Sequence, residues 1–470
     1  MKKVILNLLM ITGLFAGNNC YGLTSKKGEK VFADFNHNYS QTLVMKLFLS
    51  KPDSEGNSMV ANTFENALEI IKTTDQLTLG VPKIVYLVGW QYNGHDDKYP
   101  AFFGVNVALK REQDATARES LIWLMEEASK YHTVVSLHIN MTDAYNDSPL
   151  WPEYVENDLI SKTTNGNLMV IGNYNNRKAY QINYKNEWES GYAKMRVDRL
   201  LDLLPPLREA KTIHIDAWIA RESKGHYEST VTEAKYQQKV LEYWNQQGID
   251  ATSEWVMDYM IGKIPFAWHF NHFSQKDYLK YPASVYTGSG LNRDLEYTDF
   301  GLGFLFGKSM YGENIFPQLQ KNPDDLEWRQ KFVDEFYSNC LQYFFLNKLV
   351  RIKLEGEGNN RIASFSDDVH VSLVDSTVYQ GDNLLREKDF VAFPVAWKQE
   401  KCLAVYSTKT EERKIQVPAS WGDVDKITIS EVTVSGEKKV QDISIKNGIF
   451  NLSLIKGKAW LVRPLIAKYY

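Results

Sequence analysis

From about residue 24 to residue 345, short apolar runs alternate with amphipathic segments of helical period. This alternation is the strongest constraint on the fold, because strands separated by helices pair in parallel and bury both faces of their sheet. Candidate strands are Leu43–Leu49, Ile84–Trp90, Thr133–Ile139, Thr212–Trp218 and Ala251–Val256, with shorter ones at Phe266–Phe270, Ser284–Tyr286 and Leu302–Phe306. Candidate helices are Thr63–Thr74, Arg118–Tyr131, Gly191–Leu204 and Thr232–Gln247, the last stopped by Gly248. Eight strands in this order predict an α/β fold, a TIM-like (β/α)8 barrel. Too little chain separates Val256 from Phe266 for a crossover helix, so the second half of the barrel is expected to be irregular.

A long helix, Asp324–Leu346, is expected to end this region. Beyond it the period changes to short alternating runs, among them Arg361–Phe365, His370–Val374, Phe390–Ala396 and Cys402–Ser407, separated by Gly, Asn and charged turns. This texture predicts an all-β sandwich. The expected organisation is a leader over residues 1–22, a barrel over 23–346 and a β-sandwich over 347–470. Lys2 and Lys3 followed by the apolar stretch Val4–Ala16 read as a secretory signal, too short to span a bilayer. Cys20 lacks the small preceding residue that lipidation favours. The protein is therefore expected to be exported, with no transmembrane segment and with Cys340 and Cys402 as buried thiols.

Two strands end in an acid followed by Trp: Ile213-His214-Ile215-Asp216-Ala217-Trp218 and Ala251-Thr252-Ser253-Glu254-Trp255. A buried lone carboxylate is costly unless it is paired or used. Alternation places His214, Asp216 and Trp218 on the inner face, and Asp216 at the C-terminal strand end, where barrel enzymes carry their catalysts. One helix fits between the two segments, so Glu254 falls on the adjacent strand, about 4.8 Å away. Two carboxylates so placed suit a retaining glycosidase, one as nucleophile and one as proton donor and acceptor. The competing reading is a buried acid pair satisfied by Arg or Tyr.

Other polar groups gather at strand ends. Gly94-His95-Asp96-Asp97 follows the second strand, and His138-Ile139-Asn140 ends the third. Asp accepts two hydroxyl hydrogen bonds and His donates or accepts one, as sugar binding needs. Each segment alone also fits a solvated turn or a core histidine. Trp218 and Trp255 are candidate sugar-stacking residues, in a chain with 13% aromatics. No HExxH, CxxC pair, Walker loop or GxGxxG follows a strand, so neither a metal nor a cofactor is expected. A net charge of -4 without a basic patch argues against a nucleic-acid partner.

Four segments in order resemble the catalytic part of glycoside hydrolase family 101, the endo-α-N-acetylgalactosaminidases. They are Val85–Asp96 with its Gly-His-Asp loop, Leu137–Asn140, Ile213–Trp218, and Ser253-Glu254-Trp255. The family's β-sandwich also follows its barrel, and its end resembles Asn447–Ile449 through Trp460–Arg463. The resemblance implies Asp216 as nucleophile, Glu254 as general acid/base, and His95 with Asp96 as the loop that holds sugar hydroxyls. It implies retaining cleavage of α-linked N-acetylgalactosamine, alone or as Gal-β-1,3-GalNAc, from Ser or Thr of O-glycans. The chain departs from the family after Glu254-Trp255, where a Gly-rich stretch is replaced by Val256-Met257-Asp258-Tyr259. It also lacks a counterpart of the family's substrate-covering Trp pair around Asn173–Tyr184. An exo-acting α-N-acetylgalactosaminidase, another α-glycosidase and a sugar-binding protein on an inactive barrel are the alternatives.

Overall fold

The computed structural model describes residues 34–269, 275–290, 301–310 and 312–465; the expected leader lies outside them. Seven strands form one sheet in chain order: β1 (Leu43–Phe48), β2 (Lys83–Val88), β3 (Thr133–Asn140), β4 (Thr212–Asp216), β5 (Asp250–Trp255), β6 (Phe266–His269) and β7 (Thr287–Gly290). Every neighbouring pair is parallel. The helices that return the chain are α1 (Phe64–Leu77), α2 (Ala117–Ser129), α3 (Tyr192–Leu203) and α4 (Thr230–Gln246). Both α1 and α2 start at reciprocal caps, Thr63 with Asn66 and Thr116 with Glu119, which satisfy otherwise orphaned N–H groups. The result is the parallel arc of a TIM-like barrel with helices outside, as the alternation predicts.

Two expected strands differ. Leu302–Phe306 is a helix bracketed by Gly301 and Gly307, both at positive φ, and it buries Leu302, Leu305 and Phe306 at helical spacing. An apolar run this short carries no period that separates a strand from a buried helix. The seventh strand lies just beyond the expected Ser284–Tyr286. There, Pro282 opens a turn whose carbonyl accepts from the N–H groups of Val285 and Tyr286. The short β5–β6 connection holds only a 3-10 turn, Asp258–Met260, in place of a helix.

Val44 on β1 and Tyr86 on β2 pack inside the barrel against Phe266 and Trp268 of β6. Leu43, Met45 and Leu47 point to the outer helices and join the main core, the period-2 alternation of a strand buried on both faces. The expected long helix is a continuous helical run from Glu327 to Leu346 with one π-turn, Phe336–Cys340. It packs against a ten-stranded antiparallel sheet that begins at Arg351 and ends at Pro464. In that sheet Val391, Phe393, Ala404 and Tyr406 face the barrel core, whereas Phe390, Ala392, Leu403 and Val405 face a two-stranded ribbon, Glu411–Gln416 with Ile449–Leu454. The expected sandwich thus has its second layer over only part of one face of the sheet, and the opposite face packs on the barrel. Cys340 and Cys402 are buried and unbridged.

Phe336 is the hub of this junction. Its ring stacks on Phe332 and meets Tyr337, Phe344 and Trp397 of the sheet region. Phe336→Ala should therefore cost about 3–5 kcal/mol. Equilibrium denaturation should show the loss in a lowered midpoint.

Candidate active site

The site forms where β1 to β5 end. Its floor is a stack of rings: Tyr86 against His214 at 5.3 Å, His214 against His138 at 5.3 Å and against Trp268 at 5.4 Å. His214 is held by Thr252 at 3.0 Å. Parallel register aligns His138 with His214 and Asn140 with Asp216. It also aligns Ser253 with Ile215, which sets Glu254 beside Asp216. The two acids meet as the spacing of their segments predicts.

Their ionisation is opposite. Burial alone would raise Asp216, but His138, Lys46 and His95 outweigh it and hold the carboxyl well below its usual range. His138 Nε2 stands 3.4 Å from Asp216 Oδ2. Burial lowers the His138 pKa, against the pull of Asp216. Glu254 is pushed up to about 8 by burial and then by the charge of Asp216, while Lys46 opposes the shift. Two like charges so close cannot both ionise cheaply. At neutral pH one acid is a carboxylate and the other a proton donor.

The Gly-His-Asp loop lies over the pocket from the β2 side. Gly89 (φ +80) and Gly94 (φ +127) bring it against the neighbouring Ser50–Pro52 backbone, where a Cβ would meet Ser50 O at 2.0 Å and Lys51 Cα at 2.5 Å. His95 N–H donates to Ser50 O, and its ring packs edge-on against His138 at 5.2 Å. His95 Nε2 lies 3.4 Å from Asp96 Oδ2. Burial raises the Asp96 pKa, His95 opposes this, and Asp216 adds to it.

Two expected roles change. The strand ends at Asp216 and Ala217 takes positive φ, so alternation no longer governs Trp218. Trp218 is buried against Tyr184 in the hydrophobic core and does not offer a face to a sugar. Asn140 folds the turn after β3: its Oδ1 accepts from Thr142 N and Asp143 N, and its Nδ2 donates to Asp143. It positions Asp143 instead of presenting its amide to substrate. Trp255 turns its indole N–H onto Glu254 Oε2 at 3.1 Å and so holds the acid.

Several site residues carry no local sequence signal. Lys46 on β1 lies 3.7 Å from Glu254 Oε1. Asp143 is buried near Asp96 and Asp216; burial and those two charges push it up to about 8. A hairpin, Val170–Tyr174 with Arg177–Gln181, overhangs the loop. Its Arg177 donates to Asp97 Oδ1 at 2.6 Å and to Asp96 O at 2.6 Å, while Asn175 donates to His95 O. Burial and then the charges of Asp143, Asp96 and Asp216 raise the pKa of Tyr174, beside the hairpin turn. An aromatic residue on a polar hairpin reads as any β-turn, and its approach to the acids arises only on folding.

His95, His138 and Asp216 bring one ligand-type atom each to within 4.8 Å of one another. A cation there would take the lone pairs through which Asp216 can react. The same donors and acceptors match the hydroxyls of a sugar.

Two adjacent acids of opposite ionisation at the rim of a parallel barrel, beside hydroxyl-binding groups, are the arrangement of a glycoside hydrolase. The chain belongs to glycoside hydrolase family 101: that family's model, described as endo-α-N-acetylgalactosaminidase, matches residues 44–293, more than half of the chain. In fold it is similar to the α-N-acetylgalactosaminidase NagBb from Bifidobacterium bifidum. The Gal-NHAc-DNJ complex of that enzyme aligns with a TM-score of 0.52, 11% identity, 73% of this chain and 58% of that one. Its GalNAc complex aligns with a TM-score of 0.51 at the same identity and coverage. The chain thus spans less than two thirds of that protein. No curated protein matches it in sequence.

Arg177 ties the hairpin to Asp97, a carboxylate otherwise buried. Arg177→Met should free the loop at residues 93–98, raising its amide exchange about tenfold or more, because a charge-assisted hydrogen bond contributes about 1.5–3 kcal/mol. Hydrogen–deuterium exchange by mass spectrometry checks this, with exchange in α1 and α2 unchanged.

Proposed function

We propose that the protein is a retaining glycosidase that cleaves α-linked N-acetylgalactosamine from Ser or Thr of O-glycans. The observation that carries this is the pair Asp216 and Glu254, side by side with opposite protonation. Asp216, ionised, attacks the anomeric carbon as the glycosidic bond breaks. Glu254, protonated, gives its proton to the departing oxygen. The product of this step is an ester of the sugar on Asp216. Glu254, now a carboxylate, takes a proton from water, the water oxygen attacks the anomeric carbon, and Asp216 leaves as carboxylate. The placement of the two acids on adjacent strands in matched register favours this route over inversion, which needs carboxyl groups about 6.5–9.5 Å apart to seat a water. His95 and Asp96 hold the sugar's hydroxyls. Family membership supports the sugar and the α-linkage; whether N-acetylgalactosamine leaves alone or as Gal-β-1,3-GalNAc depends on the ground beyond Tyr174.

Asp216→Asn and Glu254→Gln should each lower turnover of aryl α-GalNAc and Gal-β-1,3-GalNAc glycosides, by about 10²–10⁴-fold for the acid/base. Wild-type rates in either variant would remove the assignment, and a screen of other aryl glycosides would show a different sugar. Nuclear magnetic resonance of the first-formed anomer tests retention. Activity requires Glu254 protonated, so kcat/KM should fall as pH rises through about 8. Its acid limb should lie well below neutrality, where Asp216 gains a proton.

The protein is further proposed to be exported, on the charged and apolar pattern of residues 2–16. Mass spectrometry of the secreted protein should find a new N-terminus near residue 23. An uncleaved protein retained in the cytoplasm would overturn export.

A further inference from the structure

Lys46 is an unusual residue for the inner face of a barrel strand. It follows Val44 by two positions and so points inward, above the ring stack, and it is only 2% exposed. A buried ammonium costs free energy unless it is paired. Its Nζ lies 3.7 Å from Glu254 Oε1, 3.5 Å from Glu313 Oε1 and 4.9 Å from the centre of the Trp268 ring. Glu313 arrives from a distant part of the chain. Gly312, at φ +83, lays that segment on β1, where a Cβ would meet Lys46 O at 3.2 Å and the Phe316 ring at 2.7 Å. Close packing thus fixes both sides of an acid–ammonium–acid bridge.

We propose that Lys46, held between Glu254 and Glu313, is the positioning residue that governs proton transfer by the acid/base. This rests on the catalytic reading of Glu254. In the first step negative charge leaves Asp216, which becomes a neutral ester, and appears on Glu254, which has lost its proton. The ammonium of Lys46 stands beside the place where that charge arrives. Alone it would make Glu254 too weak a base to deprotonate water in the second step. Glu313 offsets this by sharing the ammonium, so one carboxyl can serve as acid and then as base. Among the described residues, the charged groups that act most on Glu254 are Asp216 from β4, Lys46 from β1 and Glu313 from the segment after Gly312, and His138 and His95 act on Asp216. Trp255 adds an indole N–H.

Removing the two partners should move the acid/base in opposite directions, which a merely structural role would not do. Lys46→Met should shift the alkaline limb of kcat/KM upward by about one pH unit or more, and Glu313→Gln should shift it downward. Lys46→Arg should restore it toward wild type. The same shifts should appear without substrate in the carboxyl resonance of Glu254, observed by 13C nuclear magnetic resonance of Glu-labelled protein and identified by its loss in Glu254→Gln. Glu313 is partly exposed, so Glu313→Gln carries the test if Lys46→Met does not fold. Absence of turnover in the wild type would overturn the glycosidase reading and leave the carboxyl titration to judge Lys46. Unmoved titrations, or shifts of the same sign in both variants, would overturn the role of Lys46.

Discussion

Everything at the site depends on the close approach of two half-buried carboxyl groups. Strand register sets it: Ser253 beside Ile215 leaves Glu254 beside Asp216. Their repulsion in a poorly hydrated setting is relieved by splitting their ionisation. The surroundings decide which acid keeps the proton. His138 and His95 gather on the Asp216 side, while Lys46 on the Glu254 side is shared with Glu313. The asymmetry is therefore built into strands contributed by well-separated parts of the chain.

The scaffold around this pair is rigid where it bears on chemistry. The ring stack of Tyr86, His214, His138 and Trp268 fills the barrel beneath the acids and leaves little freedom for a collapse that would separate them. The loop that carries His95 and Asp96 is fixed from two sides, by close glycine contacts to the Ser50–Pro52 strand and by Arg177 of the hairpin. The antiparallel sheet closes the far side of the barrel through aromatic packing at Phe336 and Trp397.

Much of the fold is legible from period alone. The first five strands and the four early helices appear where apolar spacing puts them, because long segments sample their period several times over. The short segments fail for the same reason. Leu302–Phe306 offers five residues, and flanking glycines close it into a helix. At the site, Asp216, Glu254, His95, Asp96 and His138 converge because each sits at or beside a strand end. The inference about Trp218 fails one residue past the strand, where positive φ at Ala217 ends the alternation. Asn140 fails because its amide is consumed by its own turn.

The amino-acid sequence by itself determined the parallel barrel, the antiparallel sheet after it and the two acids on adjacent strands. These follow from local period and from the chain order of strands, which parallel pairing preserves. Only the tertiary structure decided the environment of those acids. Lys46 and Glu313 are 267 positions apart, and Arg177 lies 80 beyond Asp97. No local pattern marks them, because their contacts are made by elements that meet only when the barrel forms. A carboxyl's pKa is set by what surrounds it within a few ångströms, so the opposite ionisation of Asp216 and Glu254 exists only in the folded protein.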